Sequence, residues 1–209
     1  DVLRPIRAAV IPNGVDVALF RPIERRRAKL RLSWDPDARH VLFPGSIANP
    51  RKGYALARAA VDRAADELGS NLQLVPLSGI SPDDVPLHMN GCDALLMTSH
   101  WEGSPNAVKE AMACDLPIVS VQVGDVGDLL SGVRECEIQP RDPQALAQQH
   151  AIGLVIPLYS RTGHKPAAIH QSVDPVALPP LLRRATHRRP ARSPRQQFAD
   201  GHDGIVRPA

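Results

Sequence analysis

The chain has 209 residues with 25 basic and 22 acidic side chains, for a formal charge of +3 and few aromatics. That length holds one sizeable domain and an appendage, and no apolar run approaches the ~18–20 residues of a membrane-spanning helix. The odd count of three cysteines, Cys92, Cys114 and Cys136, argues against a disulfide framework; each follows or enters a predicted strand, where a reduced thiol serves as a small buried apolar group.

Charge divides the chain. Residues 151–209 carry nine Lys and Arg against three Asp and Glu, which leaves sixteen against nineteen in residues 1–150. The basic character therefore belongs to the end of the chain and not to the expected folded part. The first residue is Asp1, in a stretch that reads as a linker, so the sequence is taken as a fragment.

In chain order, residues 1–24 read as that linker, with a turn at Asn13-Gly14 where both residues tolerate positive φ. Val41–Phe43 reads as a buried strand ending at Pro44-Gly45. Gly53–Leu68 reads as a helix with Leu56, Ala60, Ala64 and Leu68 as its apolar stripe. Leu72–Val75 is the next strand, followed by a loop and a short helix near Asp83–Met89.

Ala94–Met97 forms a third strand, and a helix from Pro105 to about Ala113 follows, with Ser104 as the expected N-cap and Pro105 in the first helical position. Ile118–Val121 is a fourth apolar strand, Val126–Leu130 a helical turn, Glu135–Ile138 a last strand, and Asp142–Gln149 a closing helix. Short apolar strands alternating with helices predict an α/β fold, a doubly wound parallel sheet of about five strands. After His150 the periodicity stops, and Pro and Arg dominate without binding motifs or interleaved aromatics. Residues 151–209 are therefore expected to be a low-order basic tail with no nucleic-acid partner.

In open parallel sheets, ligands sit at the carboxyl ends of the strands. Three polar stretches fall there: Gly45 to Gly53, Pro76 to Ile80, and Ser99 to Asn106. The last opens a helix, whose free backbone N–H groups and partial positive charge attract anions. Lys52 is placed to add a full charge to the same anion.

These residues resemble family 4 glycosyltransferases of the GT-B fold. Glu102 to Val119 is similar to the family's Glu-x7-Glu segment, with Glu102 and Glu110 as the two glutamates. Cys92 to Ser99 fits the preceding strand, Val10 to Pro22 the inter-domain linker, Pro44 to Gly53 the phosphate loop, and Val121 to Val126 the glycine loop. The match covers roughly residues 7–148. It implies the Rossmann-like C-terminal half of a GT-B enzyme, with residues 1–24 as inter-domain linker and 25–150 as the donor domain.

The resemblance also implies roles. Glu110 would accept hydrogen bonds from the ribose hydroxyls, and Glu102 would meet the donor sugar. Backbone N–H groups of Asn106, Ala107 and Val108 would cradle the distal phosphate, and Gly103 and Ser104 are further donor-binding candidates. Lys52, with Glu102 a catalytic candidate, would neutralise the departing diphosphate. Gly45, Ser46 and Arg51 belong to the phosphate loop, and the loop of Gly79 would lie against the base. The family's Arg after the loop glycine is replaced here by Ser46, with Arg51 as the available substitute. Asp125 and Asp128 are acidic enough to suggest a metal, yet the family needs none, and a solvated helix turn is expected.

The implied function is transfer of a sugar from a nucleoside-diphosphate sugar, UDP or GDP, to a hydroxyl with retained configuration. No cofactor is expected. The acceptor sugar or glycan would be held by a missing N-terminal domain, so this chain alone is expected to be inactive. The implied location is cytoplasmic, with peripheral membrane association open to the full enzyme. Two rival readings stay open: a non-catalytic nucleotide-sugar-binding module, and a GT-B nucleotide-sugar epimerase.

Overall fold

The structure is a computed structural model and describes residues 13–148 and Ile152. Its centre is a sheet of five parallel strands in the order β2-β1-β3-β4-β5. These are β1 (Arg39–Phe43), β2 (Leu72–Pro76), β3 (Ala94–Met97), β4 (Ile118–Val121) and β5 (Cys136–Gln139). Between and around them run α1 (Arg25–Arg31), α2 (Tyr54–Leu68), α3 (Val85–Gly91), α4 (Asn106–Ala113), α5 (Val126–Leu130) and α6 (Pro143–Ala147). The doubly wound α/β sheet expected from the alternating pattern is the one observed.

Burial follows strand position. Every residue of β3 and β4 is buried, whereas the edge strand β5 is only partly covered. A central parallel strand has a layer on each face, so it needs apolar side chains on both. The register places Val41 opposite Ala94 and Leu95 opposite Ile118, and Leu42, Phe43, Leu95, Leu96, Met97 and Ile118 fill the core. Cys92 and Cys114 are buried and Cys136 is half-buried, and none of the three forms a disulfide among the described residues. Burial raises the Cys136 thiol to about 12.

Three local expectations are corrected. The inward face of α2 consists of Ala57, Ala60, Val61 and Ala64, while Leu56 and Leu68 are only partly buried at its margins. Small side chains let the helix lie close to the sheet, so size and not hydrophobicity alone chose the face. Ser104 does not cap α4: Pro105 holds the cap position without a side-chain bond, and the Ser104 hydroxyl is buried with no hydrogen-bond partner among the described residues.

The third correction is α1, absent from the sequence reading because Arg25–Arg31 has no apolar period. Its N-cap is Glu24, whose carboxylate accepts from the N–H groups of Arg26 and Arg27. Its inward face is Ala28 and the stem of Lys29. Asp93, just before β3, draws the helix onto the sheet: it meets Arg25 at 2.6 Å and Lys29 at 3.4 Å, and accepts from the His40 N–H at 2.8 Å.

Within the stretch read as linker, Phe20 is buried in the core and Val15 packs against it. Ile152, just beyond the expected boundary at residue 150, is also buried there. The rest of the expected basic tail, 151 and 153–209, and residues 1–12 of the expected linker lie outside the described residues. Among the described residues, no helix is long and apolar enough to cross a membrane.

Candidate functional site

The chain leaves β1 toward β2 on one side and leaves β3 toward β4 on the other. Because β1 and β3 are neighbours, their carboxyl ends flank a crevice at the topological switch point, where open α/β sheets bind ligands. The loops after these two strands carry most of the candidate residues.

After β1 the chain turns at Gly45 and Ser46. The Ser46 hydroxyl accepts from the Ala48 N–H at 3.2 Å, so it serves the turn. Asn49 then caps a 3-10 turn, Pro50–Lys52, by accepting from the Arg51 N–H. That turn aims Arg51 and Lys52 in one direction. The Lys52 stem lies over Gly45, where an added Cβ would stand 2.8 Å from Lys52 Cγ.

After β3, Thr98 and Ser99 are buried and carry the loop of Glu102. The Thr98 hydroxyl donates to the carbonyls of Lys52 and Gly53, both at 3.0 Å, and the His100 N–H donates to Arg51 O at 2.8 Å. The two loops are thus stitched together by their backbones. Their side chains meet as well: Lys52 Nζ is 2.8 Å from Glu102 Oε1, and Arg51 Nη1 is 3.0 Å from Glu102 Oε2.

Burial works against the Glu102 charge, but hydrogen bonds from Lys52 and Ser99 and the charges of Lys52 and Arg51 outweigh it. The carboxyl therefore titrates below its ordinary value. A depressed carboxylate stabilises the fold above its unfolded pKa, and that contribution is lost as pH falls through the folded value. With two cations on one carboxylate, the cluster keeps a net positive charge. Arg51, the substitute for the arginine that Ser46 replaces, is part of this cluster.

Helix α4 starts beside it. The N–H groups of Asn106 and Ala107 have no acceptor among the described residues, while that of Val108 already donates to Pro105 O at 3.2 Å. Gly103 is exposed, and its carbonyl accepts from the Asp125 N–H at 3.0 Å, which docks the loop after β4 onto the loop of Glu102. Asp125 is half-buried and Asp128 exposed. No group of three metal-ligating side chains gathers among the described residues.

Glu110 stands apart on the second turn of α4. It is half-buried, no cation or hydrogen-bond donor reaches it among the described residues, and burial raises its carboxyl above the ordinary value. Gly79 is exposed on the loop after β2. The sequence reading missed Arg141, just after β5, whose guanidinium donates to Ser99 O at 3.0 Å and to Thr98 O at 2.8 Å. Its signal was available: a charged residue at the carboxyl end of a strand.

A five-stranded parallel sheet with helices between its strands, and with Arg51, Lys52 and Glu102 gathered at its switch point, defines a doubly wound α/β domain. The chain belongs to the family Glycosyl transferases group 1, which matches residues 38–152. It is 29% identical over 144 residues to a D-inositol 3-phosphate glycosyltransferase of Mycobacterium tuberculosis, spanning 57% of this chain and only 30% of that relative.

Solved structures share the fold. A sucrose-phosphate synthase from Thermosynechococcus elongatus superposes with a TM-score of 0.59 at 22% identity, over 78% of this chain and 47% of its own. The C-terminal domain of a glycosyl transferase group 1 protein from Francisella tularensis gives 0.56 at 16% identity, over 77% of this chain and 98% of its own. An Anabaena protein solved in complex with UDP and glucose gives 0.54 at 22% identity, over 77% of this chain and 49% of its own. The fold is thus the Rossmann-like domain of GT-B glycosyltransferases.

Proposed function

We propose that this chain is the donor-binding, C-terminal part of a family 4 retaining glycosyltransferase, moving a hexosyl group from a nucleoside diphosphate to a hydroxyl acceptor. The observation that carries this reading is the Lys52–Arg51–Glu102 cluster, set beside the unpaired N–H groups of α4 at the switch point. Family membership supports it, as do the Francisella domain, matched over 98% of its length, and the UDP bound by the Anabaena protein. UDP or GDP is the proposed carrier, with no cofactor. The acceptor would be held by a second domain, in a cytoplasmic enzyme.

In this reading Lys52 and Arg51 neutralise charge that develops on the departing diphosphate, the main electrostatic demand of the reaction. The N–H groups of Asn106 and Ala107 hold the distal phosphate, Glu102 orients the sugar hydroxyls, and Glu110 accepts from the ribose. The bond between the anomeric carbon and the phosphate oxygen breaks as the acceptor oxygen bonds to the same face. The acceptor proton passes to the leaving phosphate. Positioning the two reactants accounts for roughly 7–11 kcal/mol of such a barrier, so this chain, with one wall of the cleft, binds donor without turning it over.

Calorimetry with UDP, GDP and ADP tests the reading. One diphosphate should bind, and Lys52→Ala should weaken it about tenfold, ~1.4 kcal/mol, while the matching nucleoside binds as before. Equal losses for both ligands would remove Lys52 from the phosphate. Diphosphate release from sugar nucleotides should not exceed that of a Glu102→Ala/Glu110→Ala control, and multiple turnovers by this chain would overturn the one-wall account.

A further inference from the structure

We propose that Arg141 is a positioning residue for the diphosphate pocket, holding Lys52 and Glu102 in register from two strands away; this rests on the donor-binding reading above. Arg141 follows β5, whereas the carbonyls it binds, Thr98 O at 2.8 Å and Ser99 O at 3.0 Å, lie just past the end of β3. Strand β4 lies between them, so the side chain reaches across the carboxyl end of a whole strand.

Those carbonyls need it. Thr98 and Ser99 are 0% and 1% exposed, and both lie beyond the last paired residue of β3, Met97. A buried carbonyl left without a donor carries its full desolvation penalty, so without Arg141 the turn out of β3 would shift to find donors. That turn also holds the loop after β1, because Thr98 Oγ1 donates to the Lys52 and Gly53 carbonyls. A Cβ at Gly53 would stand 3.0 Å from Arg141 Nη2, so the guanidinium lies against the Gly53 backbone.

Three segments therefore converge on Arg141: the turn bearing Lys52, the loop bearing Glu102, and the junction of β5 and α6. Among the described residues no carboxylate pairs with Arg141, and two of its five N–H donors go to these two carbonyls. Lysine in its place has one ammonium and cannot reproduce the planar, two-pronged arrangement.

The test uses the full 209-residue chain with Arg141→Met and Arg141→Lys. Calorimetry with the bound nucleoside diphosphate and its nucleoside is paired with hydrogen exchange. Arg141→Met should weaken the diphosphate about tenfold or more and leave the nucleoside within twofold, and Arg141→Lys should recover part of the loss. Exchange should quicken at the His100 N–H, which donates to Arg51 O, and in residues 51–53, but not in α4. If Arg141→Met proves too unstable to purify, Arg141→Lys alone must show the same selective pattern. Unchanged diphosphate affinity and exchange, or equal losses for both ligands, would overturn the positioning role. If the wild type binds no nucleotide while the exchange pattern appears as expected, the donor reading fails and Arg141 remains the organiser of these loops.

Discussion

Gly53→Ala is expected to lower the melting temperature by about 10 °C, while Gly69→Ala, at the other end of the same helix, lowers it by only a few degrees. Both glycines have positive φ, +70° and +57°, so both variants meet the left-handed penalty of roughly 1–2 kcal/mol. Their surroundings differ. A Cβ at Gly69 meets nothing within 4 Å, whereas one at Gly53 collides with the Thr98 carbonyl oxygen and crowds Arg141.

Thr98 cannot retreat without giving up its bonds to the Lys52 and Gly53 carbonyls. Overpacking of that kind adds about 1–3 kcal/mol, and each kcal/mol moves a domain of this size by roughly 2–4 °C. Thermal unfolding followed by circular dichroism compares the two variants directly. Equal decreases would mean that the junction between the β1 and β3 loops yields easily, contrary to its hydrogen bonding.

The central strands were legible in the sequence because both of their faces are covered. Ala94–Met97 and Ile118–Val121 read as apolar runs and end where the structure ends them. The loops at the strand ends were legible for the same reason: abrupt polar stretches after apolar ones mark the carboxyl edge of the sheet.

What escaped the reading depends on partners distant in sequence. Helix α1 has no apolar stripe because Asp93, more than sixty residues away, draws it in through Arg25 and Lys29. Arg141 acts on carbonyls 42 and 43 residues earlier. The face of α2 was misplaced because leucines outrank alanines on hydrophobicity, although close approach to the sheet favours alanine. Ser104 resembled a cap by residue type, but Pro105 takes that position.

Glu110→Gln is expected to raise the melting temperature at neutral pH while weakening nucleoside diphosphate binding about tenfold. The free carboxylate is half-buried without a cation or donor among the described residues, and burial raises its pKa. A carboxyl whose folded pKa lies above its unfolded one stabilises the fold below the unfolded value, and that stability is lost as pH rises through the folded value. At neutral pH the ionised Glu110 is therefore a cost to the fold, which the neutral amide of similar shape removes.

The advantage of Gln should shrink as pH falls and vanish below the ordinary carboxylate value of ~4.3, where the wild-type group becomes neutral in both states. Binding runs the other way. In the proposed role, the charge accepts from two ribose hydroxyls, and charged hydrogen bonds contribute about 1.5–3 kcal/mol each. Gln keeps one acceptor without the charge, which places the expected loss near the tenfold end of that range. Wild-type affinity should fall, relative to the variant, as pH drops through the raised pKa of Glu110. Melting curves and calorimetry across that pH range test both halves together: a variant less stable at neutral pH, with unchanged affinity, would make Glu110 a structural residue of α4 and leave the ribose without its acceptor.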